Sequence, residues 1–202
     1  MAMNRDERIE YLKEHVKKGR FRHSLAVEQT AKKMAARFHL DEEKAARAGL
    51  IHDVAKNMPM EEHLRALQAD GFEMDEFFAL TPSLYHGPAG AYIARTLLGE
   101  EDEEVLDAIR YHTIPSCDPQ PLAKVLFIAD MIEPDRSFPG VDTLRALARK
   151  NLDEAFLTAL VSPMIYELGR RHIVHPNTLI VYNRMIALKN ARENDTIKKK
   201  EE

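Results

Sequence analysis

Histidines and aspartates recur at intervals along this sequence, and their spacing is its most informative chemical feature. The chain of 202 residues contains nine histidines. His52 and Asp53 are adjacent on an alanine-rich predicted helix, whose small residues indicate close packing against a neighbour. Because burying an unpaired charge is costly, such a pair needs a partner, and a divalent metal ion satisfies both side chains. For this pair alone, hydrogen bonding near a helix end is the more common explanation.

Four further candidates lie on or beside predicted helices. His23 precedes the core residue Val27 by one helical turn, and Asp130 borders the apolar stripe of the segment KVLFIADMI. His112 continues the stripe of another helix, and His86 directly precedes a Gly-Pro helix start. Each of these residues alone has an ordinary alternative: a satisfied core histidine, a loop histidine, or a carboxylate paired with Lys or Arg.

Taken together, these residues form a set that is far more specific than any one of them. Four imidazoles and two carboxylates suit first-row metals such as Fe, Mn, Co or Zn, whereas Ca and Mg favour shells of oxygen alone. Six ligands exceed one tetrahedral site and suit two open sites that share a bridging carboxylate. Two metal ions so arranged favour phosphoryl chemistry, because both polarise phosphate oxygens and lower the pKa of a bridging water.

The segments that carry these residues have helical periodicity throughout. Apolar stripes through Leu12 and Val27 predict two helices, which we expect Gly19 to separate. Asp41 is a predicted N-cap of the next helix, which we expect to carry the His-Asp pair and to end at Pro59. No strand with alternating polarity is evident.

Helices are also predicted over about 141–149, 151–170 and 176–191. The sequence therefore predicts an all-α helical bundle in a single domain over residues 1–191. The polar segment 192–202 is predicted to be a disordered C-terminal tail.

Composition excludes several classes of protein. The formal charge of −4 argues against a general nucleic-acid-binding surface. The single cysteine, Cys117, excludes an internal disulfide bond. The longest stretch without a charged residue or a histidine has 12 residues, whereas a membrane span needs about 20, and the N-terminus lacks the apolar core of a signal peptide. We therefore expect a cytoplasmic protein that binds neither membrane nor nucleic acid; the sequence leaves the oligomeric state open, a homodimer included.

The order of the motifs resembles the HD-domain superfamily of metal-dependent phosphohydrolases. More narrowly, it is similar to the YqeK family of symmetrical bis(5'-nucleosyl)-tetraphosphatases, which cleave diadenosine tetraphosphate to two ADP. The similarity covers about residues 20–185 and rests on the segments RHSLAV, GLIHDVAK, YHGPAGA, AIRYHT, IADMIEPDRSFPGV and IVHPNTL.

This resemblance implies a helical HD-domain fold and two bound metal ions, with iron the first choice and manganese or cobalt open. Asp53 would bridge the two ions, and His86 and His112 would hold the second. The first ion would be held by His23, His52, Asp53 and Asp130.

Cations must surround a site that receives a tetraphosphate. Lys56 lies one helical turn after Asp53, Arg136 follows the helix of Asp130, and Arg20 precedes His23. We expect all three to contact phosphates, although each could be a solvated surface cation. Asp53, Lys56 and Arg136 are the predicted catalytic residues.

The resemblance suggests that the turn near the C-terminus lines a nucleoside pocket. His23 and His86 are expected to approach the substrate as well as the metal. The predicted pocket residues are Arg171, His172, His175, Pro176 and Tyr182.

The resulting hypothesis is an enzyme in which a hydroxide bridging two metal ions attacks the central anhydride and two ADP leave. The segment HDVAKN counts against a guanosine tetraphosphate hydrolase, and a Gly-Tyr-Pro signature of cyclic-dinucleotide phosphodiesterases is absent. An HD-domain nucleotidase acting on another nucleotide and a non-catalytic nucleotide sensor stay open, as does a helical protein whose histidines only cap and pack.

Overall fold

This computed structural model describes the backbone of residues 2–201 and the side chains of residues 2–192. Within that part of the chain, the regular structure consists of eleven α-helices and one short 3-10 turn. No β-strand occurs within that part of the chain, and the predicted all-α class is confirmed. A short 3-10 turn, Pro82–Leu84, precedes the sixth helix. The helices are α1 (Arg5–His15), α2 (Lys18–Arg37), α3 (Glu42–Ile51), α4 (Met60–Asp70), α5 (Glu76–Ala79), α6 (His86–Thr96), α7 (Glu103–Arg110), α8 (Pro121–Ile132), α9 (Val141–Leu147), α10 (Leu152–Gly169) and α11 (Pro176–Glu201).

Helix α8 is the central element of the bundle and packs against α2, α3, α7, α9 and α10. It begins at Pro121, as predicted, where the missing N–H costs no helical hydrogen bond. Its apolar residues, including Val125, Leu126 and Ile128, are fully buried. This packing brings Asp130, near the end of α8, against α2 and the end of α3.

The small-residue face of α3 packs directly on α2, as the sequence predicts. A Cβ atom at Gly49 would lie 2.8 Å from the Cα atom of Glu28. Ala45 and Ala48 on the same face are buried. Because the two backbones touch, the side chains of His23 on α2 and His52 after α3 come within reach of each other.

Two glycines of α6 allow a similarly close approach on the other side of the site. A Cβ atom at Gly87 would lie 2.8 Å from the carbonyl oxygen of Arg110, and one at Gly90 would lie 3.2 Å from that of His52. Helix α6 therefore rests on the end of α7 and on the turn after α3.

Two predicted boundaries were wrong. Gly19 lies inside α2, and the break between the first two helices is at Val16 and Lys17, because a glycine in a first helical turn interrupts few hydrogen bonds. Helix α3 ends at Ile51 rather than at Pro59. The ring N–H of His52 donates to the carbonyl oxygen of Gly49. In a continuing α-helix this carbonyl would accept the backbone N–H of Asp53. Residues 52–57 form turns instead.

Helix α11 begins at Pro176 as predicted and extends through residues 192–201, where the sequence analysis expects a disordered tail. Lys, Glu and Arg have high helix propensity, and extending a formed helix is easier than starting one. Side chains beyond Arg192 lie outside the described residues, and the domain end at 191 stays a prediction. Within the described chain, no helix has the length and apolar character needed to cross a membrane.

Candidate active site

The first group of predicted metal ligands meets where α2, the end of α3 and α8 come together. Nε2 of His23 lies 2.9 Å from Oδ1 of Asp130, and Nε2 of His52 lies 4.0 Å from the same oxygen. Nε2 of His52 also lies 3.2 Å from Oδ2 of Asp53. Both histidines are buried, and the ligand atoms of His23, His52 and Asp130 all lie within 4.8 Å of one another.

The second group lies on the other side of Asp53. Its Oδ1 atom is 3.2 Å from Nε2 of His86 and 3.5 Å from Nε2 of His112. The two histidine nitrogens are 3.2 Å apart. Asp53 is therefore the one carboxylate of the set whose two oxygens face different histidine groups, which is the arrangement expected of a bridging ligand.

Backbone carbonyls fix the orientation of three of the four imidazoles. Each ring donates its Nδ1–H to the carbonyl oxygen three residues upstream, so that Nε2 faces the centre of the site as an acceptor. The three hydrogen bonds run from His52 to Gly49 (2.8 Å), from His86 to Ser83 (2.7 Å) and from His112 to Ile109 (2.7 Å).

Several ligand atoms lack the partner that burial demands. Nε2 of His23, Nε2 of His52 and Oδ1 of Asp53 are buried and make no hydrogen bond of acceptable geometry. The two histidine nitrogens lie in the first group, whereas Oδ1 of Asp53 faces the second group. A buried polar atom without a partner is unfavourable, and metal cations held by the two groups would satisfy these atoms. The residues present therefore fit the predicted metal centre.

Electrostatics keep the ligands in the forms that bind metal. Burial alone would raise the pKa of Asp53, but its interactions with His52, His112 and His86 outweigh that effect and hold the pKa well below its usual range. For Asp130, the interactions with His23, His52 and Arg136 outweigh the effect of burial in the same way, and its pKa is also lowered. Burial lowers the pKa of His86 to about 4, so this imidazole is neutral near pH 7.

Comparison with known proteins decides the family. The sequence model of the HD domain matches residues 20–135, more than half of the chain. The chain belongs to the HD domain family. Two relatives are named symmetrical bis(5'-nucleosyl)-tetraphosphatase: one from Bacillus subtilis, 36% identical over 92% of this chain and 99% of the relative, and one from Halalkalibacterium halodurans, 35% identical over 91% and 98%.

A solved structure also matches this HD domain over nearly its whole length. The crystal structure of a predicted HD superfamily hydrolase involved in NAD metabolism, from Clostridium acetobutylicum, is 35% identical and superposes with a TM-score of 0.89. The alignment covers 93% of this chain and 99% of that one. The HD-domain fold expected from the motifs is therefore confirmed.

The three cations predicted to contact phosphate surround the predicted metal ligands of this HD domain. Arg20 donates to Oδ2 of Asp53 at 2.5 Å, and Arg136 donates to Oδ1 of Asp130 at 2.6 Å. Nζ of Lys56 lies 2.9 Å from Nε2 of His86. Burial lowers the pKa of Lys56, and the charge of Arg20 adds to that effect while Asp53 opposes it.

A cavity of about 640 Å³ opens beside the histidine cluster. Thr113, next to His112, and Ser83, which binds His86, lie in its wall. Apolar side chains such as Phe127 and Leu160 line its deeper part. The cavity therefore lies next to residues that neighbour the predicted metal ligands, and it has the mixed polarity that suits an aromatic base.

Five residues were predicted for a nucleoside pocket, and the structure separates them. Arg171, His172 and His175 line the cavity. Pro176 begins α11 without lining it, and Tyr182 lies one turn beyond the lining residue Thr178. Thr178 was missed because nothing in its local sequence distinguishes it.

His175 is held within the protein on both ring nitrogens. Nδ1 accepts the backbone N–H of Asn177 at 3.2 Å, and Nε2 donates to Asp75 at 3.0 Å. The side chain is 5% exposed and packs near Phe77 and Phe78. It therefore ties the turn before α11 to α5 and forms the wall of the cavity, with neither nitrogen left for another partner.

Two residues beside the site were not predicted from the sequence. Glu133 is a buried carboxylate three residues after Asp130, and Arg145 donates to carbonyl oxygens of the loop that carries Arg136. The unusual EPDRSFPG segment marks this loop. Its partners in α2 and α9 are distant in sequence, and no local pattern reveals them.

Proposed function

We propose that this protein is a metal-dependent hydrolase that cleaves diadenosine tetraphosphate symmetrically to two ADP. The observation that carries the proposal is the position of Asp53 between two histidine groups, one facing each carboxylate oxygen. Relatives of nearly the same length are named for symmetrical cleavage of such tetraphosphates, which supports this choice of substrate.

The ligand set would hold two divalent metal ions. His23, His52 and Asp130 would hold one, His86 and His112 the other, and Asp53 both. When bound, such ions polarise phosphoryl oxygens and lower the pKa of water. A mixture of imidazole and carboxylate ligands suits first-row metals; iron is the first choice, with manganese and cobalt as alternatives.

The reaction that the chain must support is a displacement at a central phosphorus atom. The oxygen of water bonds to one of the two middle phosphorus atoms, and the P–O bond that links this phosphorus to the other half breaks. Each half then leaves as ADP, and a proton is released. Arg20, Lys56 and Arg136 would contact the phosphates and offset the charge that develops there, as fixed cations do in other phosphoryl-transfer sites.

The cavity beside the cluster would receive a nucleoside. Its volume of about 640 Å³ lies in the usual range for small-molecule pockets, roughly 300–1,000 Å³. Arg171 and His172 lie at its exposed edge, and His175 shapes its wall. A homodimer stays a prediction, as do contacts of Pro176 and Tyr182 with the substrate.

The decisive experiment combines metal content with product identity in one anaerobic preparation. Hydrolysis in ¹⁸O-labelled water should give ADP as the sole product with one labelled oxygen per two ADP, and about two metal ions per chain. Release of AMP and ATP would contradict symmetrical cleavage. Metal without turnover would direct the search to other nucleotides, and a protein that neither binds metal nor turns over would contradict the enzyme.

A further inference from the structure

A buried carboxylate outside the predicted ligand set lies directly behind the metal-ligand cluster. Glu133 follows the last residue of α8 and is 2% exposed. Its Oε1 atom lies 3.1 Å from Nδ1 of His23, and its Oε2 atom accepts the backbone N–H of Asp135 at 2.7 Å. Because both oxygens are engaged, the orientation of this carboxylate is fixed.

His23 differs from the other three histidines of the cluster in its position on a helix. His52 and His112 follow helix ends and His86 begins a helix, so that the carbonyl oxygen three residues upstream can accept the ring N–H. His23 lies inside α2, where the corresponding carbonyl of Arg20 already accepts a helical hydrogen bond. Its ring therefore needs an acceptor from another part of the chain, and Glu133 provides it.

A carboxylate is also a stronger acceptor than a backbone carbonyl. A charge-assisted hydrogen bond at Nδ1 fixes the tautomer and makes Nε2 a better electron donor. Nε2 of His23 lies 2.9 Å from Asp130 and 3.8 Å from Oδ2 of Asp53, and it has no hydrogen-bond partner. The hydrogen bond from Nδ1 to Glu133 therefore makes a better electron donor of Nε2 of His23, the nitrogen that faces Asp130 and Asp53.

We propose that Glu133 is a positioning residue of the metal centre. It holds His23 as the Nδ1–H tautomer with Nε2 directed at Asp130 and Asp53, and in this way it strengthens metal binding. The inference rests on the metal centre of the proposed function and is independent of which nucleotide is the substrate. Removing outer-shell partners of this kind typically weakens metal binding about 10–100-fold.

The test is Mn²⁺ binding to the metal-free protein, followed by the electron paramagnetic resonance signal of the free ion. Glu133→Gln keeps the size of the side chain and removes its charge. We expect Mn²⁺ affinity to fall about 10–100-fold, while thermal unfolding of the metal-free variant shows that it is folded.

Two control variants separate this role from loss of a buried or loop carboxylate. Glu100→Gln removes a buried carboxylate that binds Arg8 and Arg47 away from the site, so it should lower stability without changing Mn²⁺ affinity. Asp135→Ala removes an exposed ion pair with Arg22 but keeps the backbone N–H that binds Glu133, so it should also leave Mn²⁺ affinity unchanged.

A measurement on the unaltered protein keeps the test valid should Glu133→Gln not fold. Nitrogen-15 NMR of the metal-free protein should find His23 as the Nδ1–H tautomer. An Nε2–H tautomer, or unchanged Mn²⁺ affinity in folded Glu133→Gln, would overturn the role of Glu133. If the unaltered protein binds Mn²⁺ but does not cleave diadenosine tetraphosphate, only the substrate is wrong; if it binds no Mn²⁺, the metal centre and this role both fail.

Discussion

The two carboxylates at the candidate site differ in how many histidines they face. Asp53 directs one oxygen at His86 and His112 and the other at His52, whereas the histidines beside Asp130 are His23 and His52. This difference at the level of single residues separates a shared ligand from a ligand of one site. It can be tested without knowledge of the substrate.

We predict that Asp53→Asn loses both metal ions, whereas Asp130→Asn retains about one per chain. Activity with diadenosine tetraphosphate should fall more than about 100-fold in both, since even outer-shell changes can cost that much. Metal analysis of the purified variants provides the measurement, with Asp142→Asn, whose side chain is 92% exposed, as the control. Equal metal content in the two site variants would contradict a bridging role for Asp53.

At the scale of elements, one side chain of α9 makes several hydrogen bonds to the loop between α8 and α9. Arg145 of α9 donates to the carbonyl oxygens of Ile132 at 3.1 Å, Glu133 at 3.0 Å and Arg136 at 2.9 Å. This loop carries Arg136, which is expected to contact phosphate, and Glu133, which orients His23. Arg145 therefore connects the packing of α9 to the geometry of the site.

We predict that Arg145→Met lowers both stability and kcat/KM, because the loop carbonyls lose their donors and the loop loosens. The cost in unfolding free energy should be about 1–3 kcal/mol, the usual penalty for partly buried groups left without partners. Asp142→Ala is the matched control, since it removes only the exposed carboxylate partner of Arg145. Thermal unfolding and steady-state kinetics test this; an unchanged kcat/KM would show that Arg145 does not hold the loop in place.

The contact between α5 and the turn before α11 is a second link between elements. Asp75 binds His175 and also accepts the backbone N–H of Phe78 as the N-cap of α5. Asp75→Asn keeps a good N-cap but removes the charge beside His175, whereas Asp75→Ala removes both. The pair of variants therefore separates the cap from the link.

If His175 shapes the nucleoside pocket, both variants should raise KM for diadenosine tetraphosphate severalfold while kcat changes less. Asp75→Ala should have the larger effect, because α5 also loses its cap, an effect of about 1 kcal/mol. Steady-state kinetics at saturating metal provide the measurement. A fall in kcat with unchanged KM would assign this contact to the chemical step instead of the pocket.

At the scale of the whole molecule, local sequence patterns predicted what is local. The all-α class and the small face around Gly49 followed from periodicity and residue size, and the structure confirms both. The early end of α3 did not follow from periodicity, because it depends on the hydrogen bond from the ring of His52 to the carbonyl oxygen of Gly49. The contact of Glu133 with His23 joins residues 110 positions apart and depends on how α8 packs on α2, which no local pattern encodes.

The candidate metal ligands come from α2, the turn after α3, α6, the end of α7, and α8, so metal binding should stabilise the bundle as a unit. A metal ion at 100 times its Kd adds about 2.7 kcal/mol of stability. For a chain of this size that corresponds to a rise in Tm of roughly 5–10 °C.

Differential scanning calorimetry of the chelator-treated protein, before and after Mn²⁺ is restored, should show this rise as a shift of a single transition. Asp53→Asn should show little shift, because it lacks the shared ligand. A broad transition that splits on metal removal would instead mean that the ligand-bearing helices unfold separately from the rest of the bundle.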